Sequence, residues 1–464
     1  MNKLLLTFYG DDFTGSTDAL EQLTLAGIRT MLFIQPPTAA QLRKFPGLQA
    51  AGVAGMTRSL TPEKMERELR PALKKLKALG APHVHYKVCS TFDSSPRIGS
   101  IGRVINLGVE IFRSPFVPLL VAAPMLGRYT VFGNHFARFG IGSEGGIHRL
   151  DRHPSISHHP ITPMAEADLR LHLAKQTKKK IALFDILKLA LPEQEARAAL
   201  QAMLADKTND VAAADVRRRT GKPEVILFDA LYAEQLPRIG ALIDGYASVK
   251  RPLFSVGSSG IEMALAAYWR QAGRVRSNVT PAQRAGPASQ FLVGSGSCSP
   301  VTQKQIAWAL KNGFSEVALN VPALTSPKTR KREIERAAAA AAKYMRAGSS
   351  VIVHTTRTGS DRLNSAKLKH NSAMILGTAL GQVLREALAQ HQVQRLCVAG
   401  GDTSSFAARA LGIEALAMKA PLTPGAPLCP AFATGSPADG LEVVFKGGQV
   451  GPENYFGIVK RGQT

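Results

Sequence analysis

Five stretches of this 464-residue chain set residues capable of hydroxyl or phosphate chemistry at the ends of apolar runs. The first is Tyr9-Gly10-Asp11-Asp12-Phe13-Thr14-Gly15-Ser16-Thr17-Asp18. Two adjacent carboxylates stand where an apolar run stops and a helical pattern starts. Successive side chains of an extended segment point to opposite sides, so one of Asp11 and Asp12 can meet a ligand while the other meets protein. Gly15, Ser16 and Thr17 add backbone donors and hydroxyls at a helix N-terminus, which suits an anion. The plainer reading of the same residues is a capped helix start.

The second stretch runs Tyr86-Lys87-Val88-Cys89-Ser90-Thr91-Phe92-Asp93-Ser94-Ser95. Lys87, Ser90, Thr91 and Asp93 combine one cation, several hydroxyls and one carboxylate, the groups that a polyhydroxy anion needs. An ordinary Ser/Thr/Asp turn is the alternative. The third lies in His148 to Met164, where Arg152 can clamp a carboxylate bidentately and His153, His158 and His159 can bond hydroxyls or anions. The histidine spacing matches no zinc signature, and the competing reading is a polar loop held by its own histidines.

The fourth and fifth stretches are glycine turns. Phe291-Leu292-Val293-Gly294-Ser295-Gly296-Ser297-Cys298-Ser299-Pro300 reads as strand, Gly/Ser loop and helix, with Ser299 as cap and Pro300 in the first helical position. Glycines let backbone approach a phosphate, and hydroxyls and a helix start can hold it. Val398-Ala399-Gly400-Gly401-Asp402-Thr403-Ser404-Ser405 repeats that order, and Phe445-Lys446-Gly447-Gly448-Gln449-Val450-Gly451 adds a third glycine-rich piece. None is a Walker A pattern.

The elements that must position these residues alternate. Leu4–Tyr9, Thr30–Ile34, His83–Val88, Leu119–Ala122, Ile181–Phe184, Glu224–Phe228 and Pro252–Val256 read as strands. Helical patterns occupy Thr17–Ala26, Pro62–Leu79, Met164–Thr177, Gln194–Leu204 and Ile261–Gln271. From Ala272 to Ser289 the chain turns basic, with Gly, Pro and Ser and no apolar period, which marks a linker. The rhythm then resumes with strands at Gln290–Val293, Val351–Thr355 and Arg395–Ala399 and helices at Pro300–Lys311, Glu333–Ala347 and Ala373–Gln390. The alanine run in Glu333–Ala347 offers that helix little face of its own. The Pro/Gly-rich segment Ala420–Gly440 reads as a surface loop. The expected fold class is α/β, two α/β domains with largely parallel sheets and an interdomain cleft.

Composition fits a soluble globular protein, with 45% hydrophobic and 6% aromatic residues. No export or membrane segment is visible, so the cytoplasm is expected. The four cysteines, Cys89, Cys298, Cys397 and Cys429, are far apart and form no Cys-x-x-Cys motif. The formal net charge of +24 concentrates anions around the molecule. Its basic runs, 178–180, 217–219 and 328–332, are short and carry no interleaved aromatics, so they read as solvated surface rather than a nucleic-acid platform.

Taken together and in order, these motifs resemble the four-carbon acid sugar kinase family, close in pattern to its 3-oxo-tetronate kinase branch. The resemblance rests on Asp11 to Gly15, Lys87-x-Cys89-Ser90-Thr91-Phe92-Asp93-Ser94, His159-Pro160-x-Thr162-Pro163-Met164, Gly296 to Gln303 and Gly400 to Ser404, and spans nearly the whole chain. It implies a sugar-acid domain over residues 1–271, the 272–289 linker and a nucleotide domain over 290–464 that binds ATP with Mg2+. The implied reaction moves the γ-phosphoryl group to a terminal hydroxyl. By similarity, Asp12 or Asp11 meets the acceptor hydroxyl as the catalytic group. Lys87, Ser90, Thr91, Asp93, Arg152 and His159 bind the acid. Ser295 or Ser297, Gly400, Gly401, Asp402, Thr403 and Gly448 bind nucleotide, and the metal ligands are not assigned. The expected partner is a small-molecule sugar acid, without membrane or nucleic acid, and a homodimer is the candidate assembly.

The chain departs from the family at Arg97-Ile98-Gly99-Ser100-Ile101-Gly102 and Gly133-Asn134-His135-Phe136, both in the acid-binding half, and at Asp402 and Lys446 to Gly451. The segment Leu191–Pro223 looks enlarged. Two other readings remain: a relative that binds nucleotide without catalysis, and a basic nucleic-acid-binding protein.

Overall fold

The computed structural model describes residues 3–139, 145–159, 162–205, 222–275, 285–355 and 372–462. The chain divides into two compact units. One holds Met1–Asp11, Gln22–Thr30 and Pro36–Val279; the other holds Asp12–Glu21, Met31–Gln35 and Thr280–Thr464. The chain passes from the first to the second between Asp11 and Asp12.

Among the described residues, seven parallel strands form the main sheet of the first unit, in the order Ala50–Ala54, Leu6–Gly10, His83–Lys87, Leu253–Gly257, Val117–Leu120, Val225–Phe228, Ile181–Phe184. Their near-continuous apolar runs are what a sheet covered on both faces requires. Helix Pro62–Ala78 starts with proline in its first turn and buries Met65, Leu69, Leu73 and Leu76 at helical spacing. Each such leucine stabilises the unit by about 2 kcal/mol. From Leu6–Gly10 the chain turns first to Ala50–Ala54 on one side and later to His83–Lys87 on the other. A reversal of this kind opens a crevice at the carboxyl ends of the strands, the usual ligand position in open α/β sheets. A separate antiparallel sheet, Arg128–Val131, Asn134–Arg138 and Ile147–Arg149, belongs to the same unit.

In the second unit five parallel strands run in the order Phe314–Ala318, Ser350–His354, Phe291–Ser295, Arg395–Ala399, Glu442–Lys446. Antiparallel Ala426–Phe432 and Ala415–Leu416 follow. The direction of progress reverses between Phe291–Ser295 and Arg395–Ala399, whose ends carry the Gly296 and Gly400 turns.

Three local expectations are corrected. Ala420–Gly440 is not a surface loop: Ala420–Thr423 and Ala426–Phe432 pair as strands, with Leu422, Leu428 and Cys429 buried. Alternating apolar residues outweighed the prolines there. Helix over Met164–Thr177 shrinks to Leu169–Ala174, because Asp168 caps at its second residue by accepting from Arg170 N. The alanine helix, Arg330–Arg346, does have a face: Ala337, Ala338, Ala341 and Ala342 are fully buried, and small side chains let it lie close against helix Ser372–Gln390. Residues 206–221 of the enlarged segment and 276–284 of the linker lie outside the described residues. Among the described residues no helix is long and apolar enough to cross a membrane.

Candidate functional site

In the first unit the candidate residues gather where Leu6–Gly10 and His83–Lys87 end side by side, with Gly10 opposite Lys87. Asp11 N donates to Lys87 O at 2.8 Å, which ties the two strand ends together. Asp11 is only 3% exposed, and its carboxylate accepts Arg58 Nε at 3.1 Å and Nη2 at 2.8 Å. The Arg58 backbone N also donates to Asp11 O, and Gly99 leaves room for this segment, since a Cβ there would stand 2.4 Å from Arg58 O. Asp11 therefore faces protein.

Lys87 is buried and leads into the turn that holds Ser90, Thr91 and Asp93. Phe92 takes the left-handed conformation at φ 58°, so the turn is held against backbone preference. What holds it is His135. Its Nε2 donates to Ser90 O at 2.9 Å, and its Nδ1 accepts from Thr130 Oγ1 at 2.8 Å. Burial pushes this imidazole down to about 4, so it is neutral with one donor and one acceptor, as both bonds require. Ser94 is bonded to His172 and Gln176 behind the turn. Asp93 is half-buried and makes no hydrogen bond among the described residues. Arg152 and His159 are elsewhere. Arg152 is exposed beside Asp151, which pairs with Arg149, and His159 Nδ1 accepts from Thr162 within its own loop. No hydrogen bond or ion pair joins either one to the Ser90 turn among the described residues.

Asp12 belongs to the second unit. Its carboxylate caps helix Phe13–Leu25, accepting Gly15 N at 2.7 Å and Thr14 Oγ1 at 2.9 Å. Phe13 packs on Phe445 with the rings tilted by 50° and their centroids 4.5 Å apart, which fixes the Asp12 cap beside the strand leading to Gly447-Gly448. Further along the helix, burial raises the Glu21 carboxyl to about 7, and Gly425 N donates to it at 2.6 Å.

Three glycine turns converge on Ser297. A Cβ on Gly400 would lie 3.4 Å from Ser297 N, and one on Gly448 would lie 2.6 Å from Ser297 Oγ. One on Gly296 would strike Thr403 Oγ1 at 2.4 Å. Gly400 has φ 123°, which side-chain-bearing residues rarely adopt. Gly401 opens the helix Gly401–Ala410, with open space where its Cβ would be. Asp402 is exposed one residue on, and Thr403 is buried. Ser295 Oγ is buried and has no hydrogen-bond partner among the described residues. These are the features of a backbone cradle for phosphates.

Lys446, given no role from sequence, sits under the cradle. It is fully buried, its Nζ donates to Thr302 Oγ1 at 3.1 Å, and Thr302 Oγ1 in turn donates to Gly448 O at 2.9 Å. Burial pushes the ammonium down to about 8. A lysine directly before Gly-Gly at a strand end was the available signal. Arg58 had none, because its partner is distant in sequence. Among the described residues no group of three or more His, Cys, Asp or Glu side chains could hold a metal ion by itself.

Two family models match the chain. Residues 6–265 match the family model described as a sugar-binding N-terminal domain, and residues 292–456 match that of a nucleotide-binding C-terminal domain. The chain is 43% identical to 3-oxo-isoapionate kinase of Paraburkholderia graminis, over 99% of this chain and 95% of that one. It is 28% identical to 3-oxo-tetronate kinase of Salmonella typhimurium, over 96% of each. A crystal structure of a Salmonella typhimurium LT2 protein superposes with a TM-score of 0.76 at 23% identity, covering 99% of both chains, which establishes the shared fold.

Proposed function

The chain belongs to the four-carbon acid sugar kinase family, as a phosphotransferase acting on an alcohol group of a sugar acid, and on that premise we propose that it uses ATP with Mg2+ to phosphorylate a terminal hydroxyl of a 3-oxo-isoapionate-like acid. The choice of acid is supported by 43% identity to the 3-oxo-isoapionate kinase against 26–29% to the 3-oxo-tetronate kinases. The observation that carries the phosphoryl chemistry is the convergence of three glycine turns on Ser297 in the unit that also contains the Asp12 cap.

In this reading the backbone N–H groups around Ser297, Gly400 and Gly448, with the Ser295 hydroxyl, hold the phosphates, and the Lys446 ammonium balances their charge from below. Phosphoryl transfer is mostly positioning and charge stabilisation, so such a cradle supplies much of the catalysis. Mg2+ neutralises phosphate charge when bound; it needs few protein ligands because the phosphates supply several of its oxygens. Asp12 takes the proton from the acceptor hydroxyl. The bidentate bond of Arg58 to Asp11 supports Asp12 rather than Asp11 in that role. The Asp12 carboxylate is oriented by the Gly15 N and Thr14 Oγ1 bonds it accepts. Lys87, Ser90, Thr91 and Asp93 bind the acid.

The test is ADP release over a panel of 3-oxo-isoapionate, 3-oxo-tetronates, threonate and erythronate, with Asp12→Asn alongside wild type. Asparagine caps a helix as well as aspartate does, so D12N keeps the fold and removes the base. We expect acid-dependent ADP release in wild type and a loss of about 1000-fold in D12N, within the range for general bases. Release that does not depend on any acid would reject the function, and full activity in D12N would reassign the base.

A further inference from the structure

The small antiparallel sheet of the first unit has two unlike faces. Its register pairs Arg128 with Ala137 and Thr130 with His135, and alternation along a strand sets these four on one side. Tyr129, Val131 and Phe136 take the other side and line an apolar groove. The first side is applied to the Ser90 turn through the His135 bond to Ser90 O.

Arg128 on that side is 5% exposed. Its Nη1 donates to the carbonyls of Leu126, Gly127 and Arg138 at 3.2, 3.1 and 3.1 Å. Three carbonyls on one nitrogen fix the plane of the guanidinium and point its other edge away from them. On that edge Nε is buried without a partner, and Nη2 makes no hydrogen bond to any described residue. Among the described residues no carboxylate is bonded to it, and a buried guanidinium without a counter-ion is costly unless something completes it. The Nε–Nη2 edge is one that arginine uses for two parallel bonds to a carboxylate.

Two neighbours fit the same ligand. His153 is 3% exposed, and its Nδ1 accepts from Ser155 N and Ile156 N at 3.2 and 3.3 Å, so the proton of the neutral ring is on Nε2. That Nε2 is also buried, and among the described residues it makes no full hydrogen bond, with only the Arg138 backbone within weak reach. Burial, then the charge of Arg128, keeps the imidazole below its usual range and therefore neutral. Asp93 lies within electrostatic reach of Arg128 without bonding to it, which leaves it available to a hydroxyl.

We propose that the Nε–Nη2 edge of Arg128 receives the carboxylate of the acid substrate, with His153 Nε2–H as a neighbouring donor. This assignment rests on the sugar-acid reading of the Ser90 turn and makes Arg128 the residue that distinguishes an acid from the corresponding neutral polyol.

The experiment is calorimetric titration of the full-length protein with 3-oxo-isoapionate, threonate and threitol, in wild type and Arg128→Gln, with melting temperature as the check on folding. Wild type should bind at least one of the acids and not threitol. R128Q should lose about 100-fold in affinity for that acid, as expected when one partner of a desolvated charge pair is removed. Should R128Q fail to fold, Arg128→Lys keeps a cation without the planar edge and should lose at least about tenfold. Retention of wild-type affinity in the folded variant overturns the proposal, as does a wild type that binds neither acid or does not prefer acid to polyol. Binding lost in R128Q without any ADP release by wild type supports the receptor and rejects the kinase reading. ADP release with acid preference intact in R128Q does the reverse.

Discussion

The two candidate sites are built from different material. Around the Ser90 turn nearly every determinant is a side chain brought from elsewhere: Arg58 on Asp11, His135 on Ser90 O, His172 and Gln176 on Ser94. Around Ser297 the determinants are turns in which Gly296, Gly400 and Gly448 could carry no Cβ without a collision. The difference follows from the ligands. A phosphate chain presents repeated oxygens of one kind, which backbone N–H groups at helix starts can satisfy. A sugar acid presents hydroxyls, a carboxylate and a carbon skeleton whose arrangement differs between substrates, and only side chains can be exchanged to follow it. Of the departures, those at residues 97–102 and 133–136 are in the side-chain-built site and those at Asp402 and Lys446 to Gly451 are in the cradle, which carries its Gly-Ser-Cys-Ser-Pro and Gly400-Gly401 turns.

The comparison breaks first, if it breaks, at Gly400. A methyl group in Gly400→Ala would meet Thr403 Oγ1 at 2.8 Å and impose a strained φ of 123°. The expected result is a loss of about 100-fold in ATP affinity with acid affinity unchanged, since a preorganised cradle is worth a few kcal/mol. Calorimetry with each ligand measures both. Equal losses for both ligands would mean that the two sites are not separately built.

A smaller effect is expected in the other site. His135→Ala removes the donor to Ser90 O, and a buried acceptor left unpaired costs about 1–3 kcal/mol. Acid affinity should fall about tenfold while ATP affinity holds. A shift in ATP affinity alone would place His135 in the wrong account of this protein.

The smallest effect concerns Lys446, the charged side chain beneath the backbone cradle. Its neighbours are the Cys397 thiol and the Tyr455 phenol, both raised by burial and neutral near pH 7, so no fixed anion holds its proton. Folded, it titrates at about 8, against 10.5 for the ordinary side chain. The unfolded state therefore binds more protons between those values, and this residue makes stability rise with pH across that window. Phosphate binding needs the ammonium, so ATP affinity should be full below about pH 8 and drop about fivefold to tenfold by pH 9. In Lys446→Met the affinity should be lower and flat across that range. A wild-type profile flat to pH 9.5 would show that the lysine keeps its proton and only supports the turn.

The sequence by itself determined the alternation of strands and helices, the turns at strand ends and the family. Each of these depends on neighbouring residues: an apolar run, a glycine, a capping serine. It did not determine which aspartate pairs with an arginine. Asp11 and Asp12 are adjacent and chemically alike, and only the fold brings Arg58, 47 residues away, onto the first. Nor did it mark Arg128, whose meaning comes from three carbonyls and a strand register that place it facing the Ser90 turn. Charge pairing and burial are properties of what surrounds a group, and those surroundings are set by long-range packing rather than by local pattern.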